Sequence, residues 1–390
     1  MDRRASALLI VLAVLVSMTA CLTFGGCSWS TKKRKLKIGV IVSLSGLAAP
    51  LGEPEQRSIN LLKKQLERDH GINGTSVEFV IEDDESDPAK AGAAVSRLIA
   101  QEKVSAIIGG SSTGSTLAIA SVSTNAMVPV VAMAAGTKIT QPVRNYIFSV
   151  APGDALVIKK ALLYFQNELK VKKIAILHDS NAYGTGGADQ VKAQAPQYGI
   201  SIAANESYGS ADTDMIAQLT KITRTDAQAI LVWGTNPGPA SIAKNMRQLG
   251  IDLPFVGSSG IANKNFIELA GAASEGVIFP VSRLLLPSTI PSGKWKNAVG
   301  KFSGLYKNVY GKEIDPFAAH GWDASNIVVN AMKVAGGDRA KIRDEIEKLK
   351  NYAGVDGVFT YSPTDHAGLD LKALVMVKIQ NGQWVEVRQQ

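Results

Sequence analysis

Residues 107–120, IIGGSSTGSTLAIA, join a short apolar run to an amphipathic segment through a turn of small residues. A buried strand that passes through glycine and serine into a helix is the repeating unit of a parallel α/β sheet. The stretch also fits two chemical motifs. Residues 110–114 match the G-x-S-x-G elbow of serine hydrolases. Residues 109–116 match a phosphate loop, except that Ser115 stands where that loop requires lysine.

The same strand-to-helix alternation continues on both sides of this stretch. Apolar runs predict strands at 36–44, 77–84, 105–110 and 128–133, and again at 172–179, 201–208, 227–234 and 253–260, with amphipathic segments between them. The order predicts an α/β protein with two doubly wound parallel sheets, each with a crevice at the carboxyl ends of its strands. Two lobes that face each other across such crevices form a clamshell.

The chain after about residue 276 does not repeat this pattern. Strands are expected at 276–282, 357–362 and 371–387, and helices at 292–311 and 322–335. These elements are too few to build a third sheet, so we expect them to complete the first two lobes.

The amino-terminal segment has the composition of an export signal. Arg3 and Arg4 precede an apolar run over 5–20, and small residues and two cysteines follow, Cys21 and Cys27. These are the only cysteines, so the body after them holds no disulfide. Residues 1–27 are expected to be a lipoprotein-type signal, with Cys27 lipidated. Cys27 is preferred to Cys21 because the basic tether 28–35 follows it directly.

The formal net charge of +8 is concentrated in this segment. Residues 1–35 hold six of the 42 basic residues and one of the 34 acidic ones, so the remaining body carries +3. A basic tether beside an anionic membrane accounts for the excess. No basic and aromatic cluster occurs elsewhere, so nucleic acid is not an expected partner.

The ordered motifs from Leu36 to Val387 resemble the branched-chain amino-acid-binding family of ABC-transporter substrate-binding proteins. The motifs that carry the resemblance are IGVIVSLSGLAAPLG, VIEDDESDPAKAGAAVSRLI, IIGGSSTGSTLAIA, VPVVAMAAGTKIT, KKIAILHDSNAYGTGGA, ILVWGTNPGPASIAKNMRQLG, HGWDASNIV and GVFTYSPTDHAGLDLKALVMVKIQNGQW. Each motif is weak alone, and their order along about 350 residues is specific. The family's fold is the type I periplasmic-binding clamshell.

The resemblance implies a division of the chain and a function. Lobe 1 would comprise 36–151 and 281–359, and lobe 2 would comprise 152–280 and 360–390, with crossovers near 150–153, 278–282 and 358–362. The protein would be an extracytoplasmic, membrane-anchored solute-binding protein that delivers a small carboxylate ligand to the transmembrane subunits of an ABC permease. It would not be an enzyme and would need neither cofactor nor metal.

The resemblance and the strand ends together select the candidate ligand-binding residues. They are Ser112, Thr113, Ser115, Ala134, Thr137, Tyr183, Asn236, Ser259 and Phe317. The three hydroxyl residues in 112–115 stand at a helix amino terminus, which suits a carboxylate, although helix capping selects the same residue types. The second loop is one residue out of step with the family, so either Gly136 or Thr137 would hold its threonine role. Trp233 is expected in the core.

Two departures from the family bear on the ligand. Where amino-acid binders carry an acid for the ligand's α-ammonium, this chain has Ser259, and Leu51 replaces an aromatic residue in the opening loop. A buried ammonium without a counter-charge costs several kcal/mol. The departures therefore favour a carboxylate without an α-amino group, such as an aromatic or small aliphatic acid, over an amino acid.

Two other functions fit parts of the sequence. A secreted hydrolase would use Ser112 with one of His178, His320 and His366, but no oxyanion-hole motif precedes this serine. A sensory receptor of the same fold would bind a ligand and signal to a partner chain, and the sequence does not separate it from a transport protein.

Overall fold

The structure, a computed structural model, describes residues 35–387. The predicted signal over 1–27, the proposed lipidation site Cys27 and all but the last residue of the tether lie outside the described residues. No helix between residues 35 and 387 is both long and apolar enough to cross a membrane.

The first sheet is built from the amino-terminal half of the chain. Its strands are β1 (Leu36–Val42), β2 (Val77–Asp83), β3 (Ala106–Gly109), β4 (Val130–Ala132) and β5 (Ile147–Ser149). They run parallel in the order β2-β1-β3-β4-β5, and Ile41 pairs with Gly109. All residues of β3, β4 and β5 are buried, as expected for a parallel sheet that is covered on both faces.

Helices connect these strands, as the amphipathic segments between them predict. They are α1 (Ala49–Arg68), α2 (Pro88–Ala100), α3 (Thr113–Asn125) and the short α4 (Thr137–Thr140). Asp87 accepts the Ala89 N–H at the start of α2, and Pro88 occupies its first turn. This is the start that the Asp-Pro pair predicts, because proline lacks the N–H that a first turn leaves unpaired.

The second half repeats the arrangement. Its strands are β6 (Lys173–Asp179), β7 (Ser201–Tyr208), β8 (Ala229–Trp233), β9 (Phe255–Gly257) and β10 (Ile278–Ser282). The helices are α5 (Asp154–Tyr164), α6 (Ala182–Gln194), α7 (Ile216–Thr223), α8 (Gly238–Gln248) and α9 (Lys264–Ala270). A π-helical segment, Phe165–Leu169, continues α5. Single 3₁₀ turns lie at Ala195–Tyr198, Ser259–Ile261, Gly271–Ser274, Arg283–Leu285, Pro287–Thr289 and Leu371–Ala373.

The carboxyl-terminal third adds to both halves of the molecule. It contains α10 (Lys294–Tyr310), α11 (Pro316–Ala335), α12 (Arg339–Glu347), β11 (Tyr352–Ala353), β12 (Val358–Phe359), β13 (Leu374–Gln380) and β14 (Gln383–Glu386). Strand β13 pairs antiparallel with β10, and β14 pairs antiparallel with β13, which gives the second sheet the order β14-β13-β10-β9-β8-β6-β7. Helix α11 packs on α1 and on the core of the first sheet.

Three predicted elements differ from the structure. The strand expected over 371–387 is a 3₁₀ turn followed by the hairpin of β13 and β14. The helix expected at 322–335 begins at Pro316, because Asp315 caps it by accepting the Ala318 N–H. The strand expected over 357–362 is reduced to β12, which pairs only with β11 in a separate hairpin. The lobe boundaries at 151/152, 280/281 and 359/360 stay a prediction, and β10 runs through the second of them.

Candidate functional site

A cavity of about 580 Å³ lies where strand ends from the two sheets meet. The loops after β3 and β4 form one side of it, and those after β6, β8 and β9 form the other. Ala151 and Pro152, on the connection between the sheets, lie on its wall. Ligands of doubly wound sheets bind beyond the carboxyl ends of the strands, so the cavity has the position expected of a binding site.

Glycine allows the backbone to approach closely at two points beside the cavity. Gly109 ends β3 with φ +138°, and a Cβ there would lie 2.1 Å from the Ile41 carbonyl oxygen. A Cβ on Gly136 would lie 2.3 Å from the Thr113 Cγ2 atom. The first glycine lets the chain turn from β3 toward α3, and the second lets the loop after β4 pack against the start of that helix.

The quoted stretch places two of its three candidate hydroxyl residues on the cavity. Ser112 lines it and also caps α3, because its Oγ accepts the Ser115 N–H at 3.2 Å. Thr113 lines it with a buried Oγ1 that has no hydrogen-bond partner. Ser115 is fully buried, is not among the lining residues, and accepts a hydrogen bond from Ser112 Oγ at 3.1 Å. The hydrogen bonds with Ser112 therefore hold the Ser115 side chain in the first turn of α3, away from the cavity.

The second candidate loop divides in the same way. Ala134 and its neighbour Ala135 line the cavity, but Thr137 does not. Thr137 Oγ1 accepts the Ala155 N–H at 3.2 Å, while the Ala135 carbonyl accepts the Asp154 N–H at 2.9 Å. These two bonds tie the loop to the start of α5. The Thr137 hydroxyl thus links the segment after β4 to α5, the helix that leads from the first sheet to the second, and it does not line the cavity.

Tyr183 lies on the opposite wall, at the start of α6. Asn181 caps that helix by accepting the N–H groups of Tyr183 and Gly184, both at 3.0 Å. The Tyr183 ring lies 5.7 Å from that of Trp233, which is fully buried as expected. Burial raises the pKa of Tyr183 and the nearby Asp154 carboxyl adds to the shift, so its hydroxyl stays protonated.

The remaining three candidates also line the cavity. Asn236, after β8, has a buried Oδ1 without a partner, and its amide donates to Asn263 at 3.4 Å. Ser259 begins a 3₁₀ turn after β9 that Ser258 caps. Phe317, on α11, packs with Ala48 and Leu51 into an apolar patch of the wall.

Several lining residues escaped the sequence-based selection. Asp179 ends β6 and is 1% exposed, and its Oδ1 accepts from the Ser210 hydroxyl at 2.7 Å and the Asn181 N–H at 3.0 Å. Burial raises its pKa. Asp179 is the last residue of a parallel strand. The rule that ligands bind beyond the carboxyl ends of such strands could therefore have selected it from the sequence. His320 also lines the cavity. In the sequence analysis it is named only as a possible base for a hydrolase.

The cavity is short of positive charge. Among the described residues that line it, none is lysine or arginine, and the acids are Asp179 and the exposed Glu85, which pairs with Lys90. Within residues 35–387, no group of three or more histidine, cysteine, aspartate or glutamate side chains is arranged to hold a metal ion. Backbone N–H groups, hydroxyls and amides therefore dominate the polar part of the wall.

Two parallel sheets whose strand ends face one ligand-sized cavity define a two-lobed solute-binding protein. The chain belongs to the periplasmic binding protein family, whose sequence profile matches residues 35–383. It is 27% identical over 260 residues to the leucine-, isoleucine-, valine-, threonine- and alanine-binding protein of Pseudomonas aeruginosa. The aligned residues cover 66% of this chain and 69% of that protein.

Solved structures show the same architecture. An extracellular ligand-binding receptor from Rhodopseudomonas palustris HaA2 is 29% identical, with a TM-score of 0.85 over 91% of this chain and 100% of that one. The branched-chain amino acid transporter substrate-binding protein LivJ of Streptococcus pneumoniae, solved with isoleucine, is 28% identical, with a TM-score of 0.79 and the same coverage.

Membership of this family makes the protein a binding protein and not an enzyme. The geometry around Ser112 agrees with that assignment. Its hydroxyl donates to Ser115, and none of the hydrogen bonds found in residues 35–387 joins it to a histidine. The G-x-S-x-G match thus describes a capped helix start instead of an activated nucleophile.

Proposed function

We propose that this protein is the extracytoplasmic substrate-binding component of an ABC importer, and that its ligand is a small carboxylate without an α-amino group. The observation that carries the proposal is the cavity lined by strand-end loops of both sheets. Relatives whose names specify a ligand bind branched-chain and other small amino acids. A clamshell of this kind would close on its ligand and present the closed form to a permease.

The amino terminus of α3 supports the carboxylate. Helix α3 is 13 residues long, so its first turn carries unpaired N–H groups and the positive end of the helix dipole. Thr113 offers a hydroxyl there that no protein group satisfies. A ligand carboxylate at this point would accept hydrogen bonds from donors that are otherwise unpaired.

The lack of an α-amino group rests on Ser259 and its surroundings. Ser259 lines the cavity with a neutral side chain. The family resemblance implies that amino-acid binders carry the counter-charge of the α-ammonium at this position. Asp179 is the buried acid on the cavity wall that could pair with an ammonium. Its Oδ1 already accepts two hydrogen bonds, and burial raises the pKa of its carboxyl. Asp179 nevertheless favours a second candidate, an α-amino acid whose ammonium would meet its other oxygen.

A series of isosteric ligands separates these candidates. Leucine, 2-hydroxy-4-methylpentanoate, 4-methyl-2-oxopentanoate and 4-methylpentanoate share a chain and a carboxylate and differ at the α-carbon, and benzoate adds an aromatic acid. We expect calorimetry to give tighter binding for the acids without nitrogen than for leucine. Tight leucine binding with no detectable binding of the other acids would refute the assignment. Leucine binding that is abolished in Asp179→Asn would support the amino-acid candidate.

Delivery to a permease and anchoring to the membrane are separate parts of the proposal. Deleting the gene should abolish uptake of the bound acid, and a sensory receptor would instead leave uptake intact and alter a transcriptional response. Cys27 is proposed to carry the lipid anchor. In cells fed an alkynyl fatty acid, Cys27→Ser should lose the label and Cys21→Ser should keep it, and the reverse result would move the anchor to Cys21.

A further inference from the structure

Among the described residues that line the cavity, His320 is the only one whose side chain can carry a positive charge. It lies on α11, one turn after Phe317, and its ring meets the Phe317 ring edge-on at 5.9 Å. The residue is only 6% exposed, and neither ring nitrogen has a hydrogen-bond partner in the protein. A buried imidazole with unpaired nitrogens on a ligand cavity is costly unless the ligand or a nearby charge satisfies it.

Asp356 places a carboxyl group beside the His320 ring. Its Oδ2 lies 3.4 Å from His320 Nε2, which is an ion-pair distance without the alignment of a hydrogen bond. Asp356 is fully buried, and no donor among the described residues bonds to either of its carboxylate oxygens. His320 Nε2 thus lies within ion-pair distance of this carboxyl group, and a carboxylate is the kind of partner that a buried cation requires.

The backbone around Asp356 is fixed by other bonds. Its N–H donates to Asp323 Oδ2 at 2.8 Å, and the Val355 N–H donates to both oxygens of Asp323. Its carbonyl accepts from the Ser282 hydroxyl at 3.0 Å, at the end of β10. The backbone position of Asp356 therefore does not depend on the His320 contact.

We infer that His320, oriented by Asp356, contributes the positive charge that holds the ligand's carboxylate in the cavity. The inference rests on the proposed carboxylate ligand and adds the residues that set the preference for an anion. His320 would contact the ligand, and Asp356 would act through His320 as a positioning residue. The α3 amino terminus and the imidazolium would then share the ligand's charge, which explains how a wall without lysine or arginine accommodates an anion.

The test compares acids with their uncharged amides. Binding of 4-methylpentanoate, 4-methylpentanamide, benzoate and benzamide would be measured by calorimetry for the native protein, His320→Gln and Asp356→Asn. Loss of a charged hydrogen bond should weaken acid binding by about 10- to 100-fold in His320→Gln and leave amide binding nearly unchanged. Asp356→Asn should reduce the acid-to-amide ratio in the same direction. A purely structural role for either residue would weaken acid and amide alike.

Controls keep the outcomes distinct. His366→Gln replaces another buried histidine, which contacts the Arg144 and Ile147 carbonyls away from the cavity, and should keep the native ratio. His320→Asn replaces His320→Gln if circular dichroism shows that the latter does not fold. An unchanged acid-to-amide ratio in the His320 variant overturns the inference and leaves the binding function intact. Failure of the native protein to bind either acid overturns the proposed ligand class, and the inference with it.

Discussion

Ser259 is the residue whose charge should decide between acids with and without an α-amino group. Ser259→Glu would place a carboxylate on the cavity wall, where an ammonium could pair with it. We expect leucine binding to strengthen relative to 4-methylpentanoate by about tenfold or more, which corresponds to about 1.4 kcal/mol. Calorimetry of both ligands measures the ratio. The neutral isostere Ser259→Gln is the control, and an equal change in both variants would mean that size, not charge, controls the site.

Asp154 is a buried acid whose ionisation opposes folding. Both of its carboxylate oxygens are buried without partners, and burial raises its pKa well above the ordinary value. A carboxyl with a raised folded-state pKa stabilises the fold fully below its unfolded pKa of about 3.9, and that contribution is lost as pH rises toward the folded pKa. The native protein should therefore lose stability from Asp154 as pH increases above about 4.

Asp154→Asn removes this titration and tests the sign. Near pH 4.5 the variant and the native protein should have similar free energies of unfolding. At pH 8 the variant should be more stable by about 1–3 kcal/mol, because its folding requires neither burial of a charge nor uptake of a proton. Urea titrations at the two pH values measure both numbers. A difference that is the same at pH 4.5 and pH 8 would show that Asp154 does not titrate in this range.

Which of the selected residues lie on the cavity wall follows from local chain geometry, and ligand binding by them stays a prediction. Seven of the nine selected residues line the cavity, because strand ends and helix starts can be read from short patterns. Ser115 and Thr137 have the right chemistry, but the Ser115 hydroxyl bonds to Ser112 in the helix cap and the Thr137 hydroxyl accepts the Ala155 N–H of α5. The pairing of His320 with Asp356 joins residues that are far apart in sequence, so no local pattern reports it.

At the level of elements, α11 connects helix stability to the site. Asp315 caps this 20-residue helix, and the first turns after it carry Phe317 and His320. Asp315→Ala should cost about 1 kcal/mol in the free energy of unfolding and also weaken ligand binding, because the start of the helix forms part of the wall. Asp315→Asn keeps a capping oxygen and should recover most of both. Urea unfolding and calorimetry give the two readouts.

Asp338 provides a matched control for that prediction. It caps α12 by accepting the Lys341 N–H at 3.1 Å, and no residue of α12 lines the cavity. Asp338→Ala should lose a similar amount of stability and keep native affinity. If both alanine variants weakened binding equally, the effect would follow general stability and not the position of α11.

Element boundaries were predictable to within a few residues wherever capping chemistry was explicit. The Asp-Pro pair fixes the start of α2, and the β7 bounds agree with the expected 201–208. The Asp-Pro pair at 315–316 is the same signal and marks the start of α11, six residues before the helix expected at 322–335. The hairpin of β11 and β12 depends on which strands pair, and pairing between distant segments is not encoded in either segment alone.

At the level of the molecule, the order of elements predicted two sheets because strand–helix alternation has few compact solutions. It did not predict how the two sides touch. In this structure α3 and α4 contact α6 across the cavity, and Lys138 on α4 lies 3.6 Å from Asp189 on α6. Both side chains are more than half exposed. The pair joins surfaces that would separate if the clamshell opened.

That ion pair gives a test of closure that does not alter the cavity. Lys138→Glu should weaken binding of the best ligand by about two- to fivefold, because exposed pairs contribute only about 0.2–1 kcal/mol and like charges now face each other in the closed form. The double reversal Lys138→Glu with Asp189→Lys should restore affinity, and both effects should fade in about 0.5 M salt. Calorimetry gives the affinities, and small-angle scattering gives the radius of gyration without and with ligand. The single variant should be more expanded than the native protein before ligand is added and equal to it at saturation. If the double variant failed to recover affinity, or the salt dependence were absent, the contact would not belong to the closure that accompanies binding.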